Sequence, residues 1–167
     1  NITSGTVTLT GITIQHGHSS DSGGGVRLQN GALTIVNSII VANYAEYYGG
    51  GVNVLFGPLT MRNSTVANNI ANLGNGGGIS ASSNAQVSNS TIVNNRAKSG
   101  GGLYSEGGSF QSINTTVAYN QATRGANLFA KVVTITLQNT LIAYPNGAAN
   151  CGSSLNGNHQ YQGGNLQ

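Results

Sequence analysis

The chain has 167 residues, 26 of them Gly and 23 Asn, and only nine charged: six basic and three acidic, for a net charge of +3. That much glycine excludes a helical bundle or coiled coil. A hydrophobic fraction of 38% excludes a disordered tail, and the field of six basic residues is too weak for a nucleic-acid footprint. No apolar run approaches the roughly 18 residues that cross a bilayer, so membrane insertion is not expected. A single cysteine, Cys151, excludes an intramolecular disulfide framework. Low charge with abundant Asn, Ser, Thr and Gly suits a secreted or surface protein. The length suits one domain over 1–167. Residue 1 is Asn, which suggests a processed mature protein or a segment of a longer one.

One unit recurs along the chain. It reads TGITIQHG from Thr10, VNSIIVAN from Val36, RNSTVANN from Arg62, SNSTIVNN from Ser88, INTTVAYN from Ile113 and QNTLIAYP from Gln138. The second residues are Gly11, Asn37, Asn63, Asn89, Asn114 and Asn139, spaced by 26, 26, 26, 25 and 25. A glycine triplet follows in each of the first four units, at Gly23–Gly25, Gly49–Gly51, Gly76–Gly78 and Gly100–Gly102, and degrades in the fifth to Arg124-Gly125-Ala126. An aliphatic residue comes next: Val26, Val52, Ile79, Leu103, Leu128.

Each unit is predicted to hold about three short strands. Four residues before the Asn column stand Val7, Leu33, Leu59, Ala85, Phe110 and Ile135; two before stand Leu9, Ile35, Met61, Val87, Ser112 and Leu137; three after stand Ile14, Ile40, Val66, Ile92, Val117 and Ile142. Polar residues alternate with these, which is strand periodicity. A turn of about 25 residues with three strands matches one coil of a right-handed parallel β-helix, an all-β solenoid. Six coils at about 4.8 Å each make a rod of about 29 Å. Asn tolerates the left-handed bends such a coil needs, and stacked carboxamides bond along a column. A second column, Asn43, Asn69, Asn95 and Asn120 with Gly17 and Pro145 at its ends, is expected to do the same. The glycine triplets suit a corner where no side chain fits.

Glycine triplets followed by Val, Ile or Leu, alternating with aliphatic-x-x-Asn, resemble the Gly-Gly-Ala-Ile and Phe-x-x-Asn repeats of chlamydial polymorphic outer membrane proteins. The chain is more closely similar to bacterial surface proteins of the choice-of-anchor Q type. The segment NSTIVNNRAKSGGGLY, Asn89 to Tyr104, looks like their repeat; Asn139-Thr140-Leu141-Ile142-Ala143, Cys151 and Gly164-Asn165-Leu166 look like their last coil. Asn150 stands where that family usually has an acidic residue beside the Cys. The resemblance implies an extracellular structural role and transfers no catalytic residue.

Chemistry-bearing residues are few. Many β-helices are polysaccharide lyases or hydrolases, which need paired carboxylates, yet only Asp21, Glu46 and Glu106 exist. Asp21 and Glu46 sit in equivalent loops and could approach one another, though a calcium site wants six to eight oxygens. Lys98 and Arg124 fall at about the same loop position, which suggests a solvated column of charge. His16, His18 and His159 lack metal-ligand spacing, and no cofactor is expected. Cys151 reads as a buried small hydrophobe. The triplets are not phosphate loops, because no Lys-Ser or Lys-Thr and no helix follow. Among the sequons, those at Asn63, Asn89 and Asn114 belong to the Asn column and would be closed to glycan if it faces inward, which leaves Asn1 as the glycosylation candidate.

One outward face stands out. Thr13, Ile39, Thr65, Thr91, Thr116 and Leu141, with Gln15, Val41, Ala67, Val93, Ala118 and Ala143, make an uncharged strip of mostly small side chains suited to packing on a neighbour. A threonine array can also order water, as in ice-binding β-helices, but Ile39 and Leu141 interrupt it. Tyr119 and Tyr144 are expected to stack beside it, and Tyr44, Tyr47 and Tyr48 crowd one loop. The open ends of a β-helix template further pairing, so other copies of the chain or flanking β-helix sequence are the expected partners. The favoured reading is a non-enzymatic structural or adhesive module of a bacterial surface assembly or fibre. The alternatives are a glycan- or ice-binding module and a polysaccharide lyase or hydrolase.

Overall fold

Alternating β-branched and polar residues give strands and nothing else: the computed structural model describes residues 1–131, 134–154 and 159–162, and no helix occurs among them. One sheet holds Thr6–Thr10, Ala32–Val36, Leu59–Arg62, Ala85–Ser88, Ser109–Ile113, Thr134–Gln138 and His159–Gln162. A second holds Thr13–Gln15, Ile39–Val41, Thr65–Ala67, Thr91–Val93, Thr116–Ala118 and Leu141–Ala143. The third holds Val26–Asn30, Val52–Phe56, Ile79–Ala81, Leu103–Ser105, Leu128–Lys131 and Cys151–Ser154. Pairing is parallel, and each residue meets its counterpart one repeat away: Val7 with Leu33, Leu33 with Leu59, Leu59 with Ala85, Ala85 with Phe110. The chain is a parallel β-helix of about six coils.

The predicted inward columns form the core. Leu33, Ile35, Ile40, Met61, Val66, Val87, Ile92, Leu137 and Ile142 are at most 1% exposed, and the third sheet adds Leu28, Val54, Ile79, Leu103 and Leu128. Each such side chain contributes about 1.5–3 kcal/mol on burial.

The corners hold the polar part of the structure. Between the first and second sheets, Asn37, Asn63, Asn89, Asn114 and Asn139 take left-handed conformations with φ of 47–51°. Their side chains point outward and are exposed. The amides of Asn63, Asn114 and Asn139 donate to Asn37, Asn89 and Asn114 at 3.1–3.2 Å. The next residue, Ser38, Ser64, Ser90, Thr115 or Thr140, turns inward and is buried. The Ser38, Ser64 and Ser90 hydroxyls each donate to the carbonyl two residues back at 2.7 Å. The Ser64 and Ser90 oxygens also accept the backbone N–H of Ser38 and Ser64, one coil earlier. The repeat shows this column as the Ser or Thr after each outer Asn; that it faces inward is set by the left-handed turn before it.

The second Asn column bonds amide to amide along its length as its sequence suggests, but it does not make the bend. The left-handed residue is the one before it: His16, Ala42, Asn68, Asn94, Tyr119 and Tyr144, with φ of 51–57°. For His, Ala and Tyr that conformation costs roughly 1–2 kcal/mol each. Asn43, Asn69, Asn95 and Asn120 then point into the molecule and are at most 1% exposed. The amides of Asn69, Asn95 and Asn120 are fully used. Asn95 Oδ1 accepts from the Asn69 backbone N–H and from Asn69 Nδ2, while Asn95 Nδ2 donates to Val66 O and to Asn120 Oδ1, all at 2.9–3.0 Å.

The glycine triplets wrap this ladder. A Cβ on Gly78, the third of its triplet, would lie 2.6 Å from the Gly102 carbonyl oxygen and 3.0 Å from Asn95 Nδ2. In the fifth coil the triplet position is Gly125-Ala126-Asn127, one residue later than the sequence suggests, because Leu128 pairs with Leu103. Asn127 stands opposite Gly102 for a reason: the sixth coil has Pro145 at the ladder position and supplies no amide. Asn127 Oδ1 accepts from Asn120 N and Nδ2 at 3.2 and 2.8 Å, and its Nδ2 donates to Ala143 O and Asn150 Oδ1. The ladder therefore continues from the opposite side of the corner.

Two stability measurements check this. Asn95→Ala strands several buried donors and acceptors and should lower the urea-unfolding free energy by roughly 3–5 kcal/mol; Asn63→Ala, on the exposed column, should lose only about 1–2 kcal/mol, the left-handed cost. Equal losses would contradict an inward ladder. Asn127→Gly should destabilise alone and be rescued by Pro145→Asn, with a coupling of about 1–3 kcal/mol in the double-mutant cycle. Additive effects would show that Asn127 does not stand in for the missing amide.

Candidate functional site

The outward strip forms as expected on the second sheet. Thr13, Ile39, Thr65, Thr91, Thr116 and Leu141 lie in register, as do Gln15, Val41, Ala67, Val93, Ala118 and Ala143. Thr13 is exposed, while Thr65, Ala67, Thr91, Val93 and Thr116 are half-buried. Ala118 departs from the expected exposed row: it is 2% exposed, its methyl group held between Val93 and Ala143 in register. Ile39 is 46% exposed, so the row is interrupted by an apolar side chain at the second coil. Tyr119 and Tyr144 stack with centroids 4.8 Å apart and an interplanar angle of 5°.

Each of the three carboxylates has its own partners. Asp21 pairs with Arg27 and accepts from the Ser22 hydroxyl. Glu46 accepts from the Tyr44 hydroxyl at 2.6 Å and from Asn72 Nδ2 at 3.2 Å. Those two bonds hold the Glu46 carboxyl below its usual range, and the Tyr44 phenol is raised by the same partner. Glu106 pairs with Lys131 at 2.7 Å. The charges thus settle as separate local contacts rather than one column. Arg124 Nε donates to the Ser99 hydroxyl and its guanidinium lies over the Phe129 ring. His18 stacks on Tyr44 at 4.7 Å, and no group of three metal-ligating side chains occurs among the described residues.

Three further points differ from or extend the sequence pattern. Asn63, Asn89 and Asn114 face solvent, as does Asn1, so burial does not close those sequons to glycan. The outward positions of the third sheet are covered: Asn53, Ser80, Tyr104 and Phe129 are all at most 5% exposed, and a Cβ on Gly23 or Gly76 would meet Arg27 Cβ or Ser80 Cβ within 2.8 Å. The loop leading into each triplet therefore folds back over that sheet. Finally, Arg96, Lys98 and Arg62 are exposed cations with no carboxylate partner among the described residues. Loop folding decides which cations stay unpaired, and no spacing in the repeat signals it.

Cys151 pairs in register with Leu128 and packs half-buried against the core. Burial pushes its thiol up to about 11. Only the thiolate alkylates, so at pH 8 the folded protein should react with iodoacetamide on the order of 100-fold more slowly than the urea-unfolded chain. The rate should climb as pH rises toward the raised value. Equal rates in both states would place Cys151 outside the core. The Gly164-Asn165-Leu166 segment of the resemblance lies outside the described residues. No known family, no curated protein and no solved structure matches this chain.

Proposed function

We propose that the chain is a non-enzymatic structural rod, a module of a bacterial extracellular or cell-surface assembly joined end to end. The observation that carries this reading is the interchangeability of its coils. Val7, Leu9 and Ile14 of the first coil occupy the same columns as Leu33, Ile35 and Ile40, yet stay half-buried while those are at most 1% exposed. Another coil laid on Thr6–Thr10 and Thr13–Gln15 would complete them with the pairing used everywhere else in the rod. That coil comes from a second copy or from flanking β-helix sequence. Parallel pairing makes the contact heterologous, so repetition gives an open fibre.

The low charge, the resemblance to choice-of-anchor Q surface proteins and the engagement of Asp21, Glu46 and Glu106 with their own neighbours also support this reading. A lyase or hydrolase would need two carboxylates facing one bond, and these three have separate partners. Ice recognition along the strip would need a regular threonine row, which Ile39 breaks.

Sedimentation at rising micromolar concentration tests the rod. Mass should grow in whole multiples of the chain, and Leu9→Lys, at the half-buried edge, should return it to monomer without unfolding. A strict monomer at every concentration, with terminal strands already protected from hydrogen exchange, would overturn the reading.

A further inference from the structure

The flank of the last three coils carries a feature that the rod does not require. The loop between the second corner and the glycine triplet spans 20–22, 46–48 and 72–75 in the first three coils, but only 98–99 and 123–124 in the next two. Where it shortens, the surface recedes into an open hollow of about 470 Å³ lined by Arg96, Gln121, Thr123 and Gly147 over the methyls of Ala97 and Ala122. Arg96 and Gln121 are bridge partners on adjacent coils, both exposed. The Arg96 guanidinium makes no side-chain hydrogen bond or ion pair among the described residues, in a chain whose three carboxylates are all engaged elsewhere.

A second, independent observation comes from the adjoining corner. Tyr119 and Gln121 flank the buried Asn120 in sequence, Tyr119 at the corner and Gln121 in the lining of the hollow. Tyr119 and Tyr144 occupy left-handed positions that the third and fourth coils fill with Asn68 and Asn94, residues suited to that backbone. On the fifth and sixth coils an aromatic pair stands there instead, 54% and 62% exposed. His16 and Ala42 take the same conformation in the first two coils, so what sets the fifth and sixth coils apart is the stacked, exposed pair of rings, two residues along the chain from Gln121.

We propose that this hollow binds an acidic saccharide. A ring carboxylate or sulfate sits on the Arg96 guanidinium, which offers planar paired donors to such a group; sugar hydroxyls bond to Gln121 and Thr123; and an apolar sugar face lies against the Tyr119–Tyr144 pair. The site is on the flank, so it stands or falls separately from end-to-end assembly and is tested on Leu9→Lys protein as well as on the parent chain.

Calorimetric titration with three probes decides it: oligogalacturonate, which carries carboxylates only; carrageenan oligosaccharide, which carries sulfates only; and a neutral galacto-oligosaccharide. Binding of one acidic probe and not the neutral one is the expected result, and the probe that binds identifies the acidic group. Arg96→Gln should weaken it by at least about tenfold, as should Tyr119→Asn paired with Tyr144→Asn, a change that relieves the left-handed strain and should not lower the melting temperature. Arg62→Gln, an exposed cation on the first sheet, should leave binding unchanged. The proposal is overturned if neither acidic probe binds, if the neutral probe binds equally, or if Arg62→Gln costs as much as Arg96→Gln.

Discussion

The buried carboxamide ladder is the constraint from which the rest of this structure follows. A polar side chain inside a core destabilises unless all its donors and acceptors find partners. Here each inner amide is satisfied by the coil before and the coil after it. No coil therefore completes its own ladder. The same ladder fixes the register, because a slip of one residue along a strand would turn every side chain to the opposite face and leave the amides facing solvent. It also explains the glycine content: the backbone passes so close to the carboxamide that a methyl on Gly51 would sit 3.0 Å from Asn69 Nδ2 and 2.7 Å from the Gly78 carbonyl oxygen.

The fold was legible because stacking repeats the same local problem in every coil. Val7, Leu33 and Leu59 look alike because they occupy one column, and a period of 25–26 could hardly arise otherwise. The direction of the two Asn columns was not legible. Asn serves equally as a left-handed corner, as at Asn63, and as an inner rung, as at Asn95, and the two sit six residues apart in each of the second to fifth coils. Only the surroundings tell them apart: the outer Asn is itself left-handed and is followed by a buried Ser or Thr, while the inner one follows a left-handed residue of no fixed type. The column Gly5, Gly31 and Gly57 does not stand out in the repeat either, although its positive φ of 114–133° closes the turn between third and first sheets. The Asn127–Pro145 exchange was hidden for another reason. It is a compensation across a corner between residues 18 positions apart, and a column read vertically shows each partner only as a blemish.

The candidate surface was legible in part. The strip on the second sheet follows directly from strand alternation, and the Tyr119–Tyr144 stack from the repeat. The hollow beside Arg96 follows from loop length, and a difference of one or two residues in a loop says little about shape until the flanking columns are fixed. Most of this composition is explained by folding: glycine by the corners, Asn by bends and rungs, Ser by the buried hydroxyl column. What folding leaves unexplained is a short set of residues, and Arg96, Tyr119 and Tyr144 head it.

Loop length has one more consequence. The second sheet keeps nearly constant steps, from Thr13 to Ile39, Thr65, Thr91 and Thr116. In the third sheet Val52 pairs with Ile79 and Ile79 with Leu103, steps of 27 and then 24 residues. The extra residue admitted at 72–75 is thus taken back before the next triplet, and neither strand shifts. Insertions are admitted at the edge of the prism before the triplet, and a deletion also falls at the corner after the third sheet, where Ile79 to Ala85 is one residue shorter than Val52 to Leu59; along the first of these edges a foreign peptide could be displayed in a row, one per coil, at the spacing of a hydrogen-bonded strand.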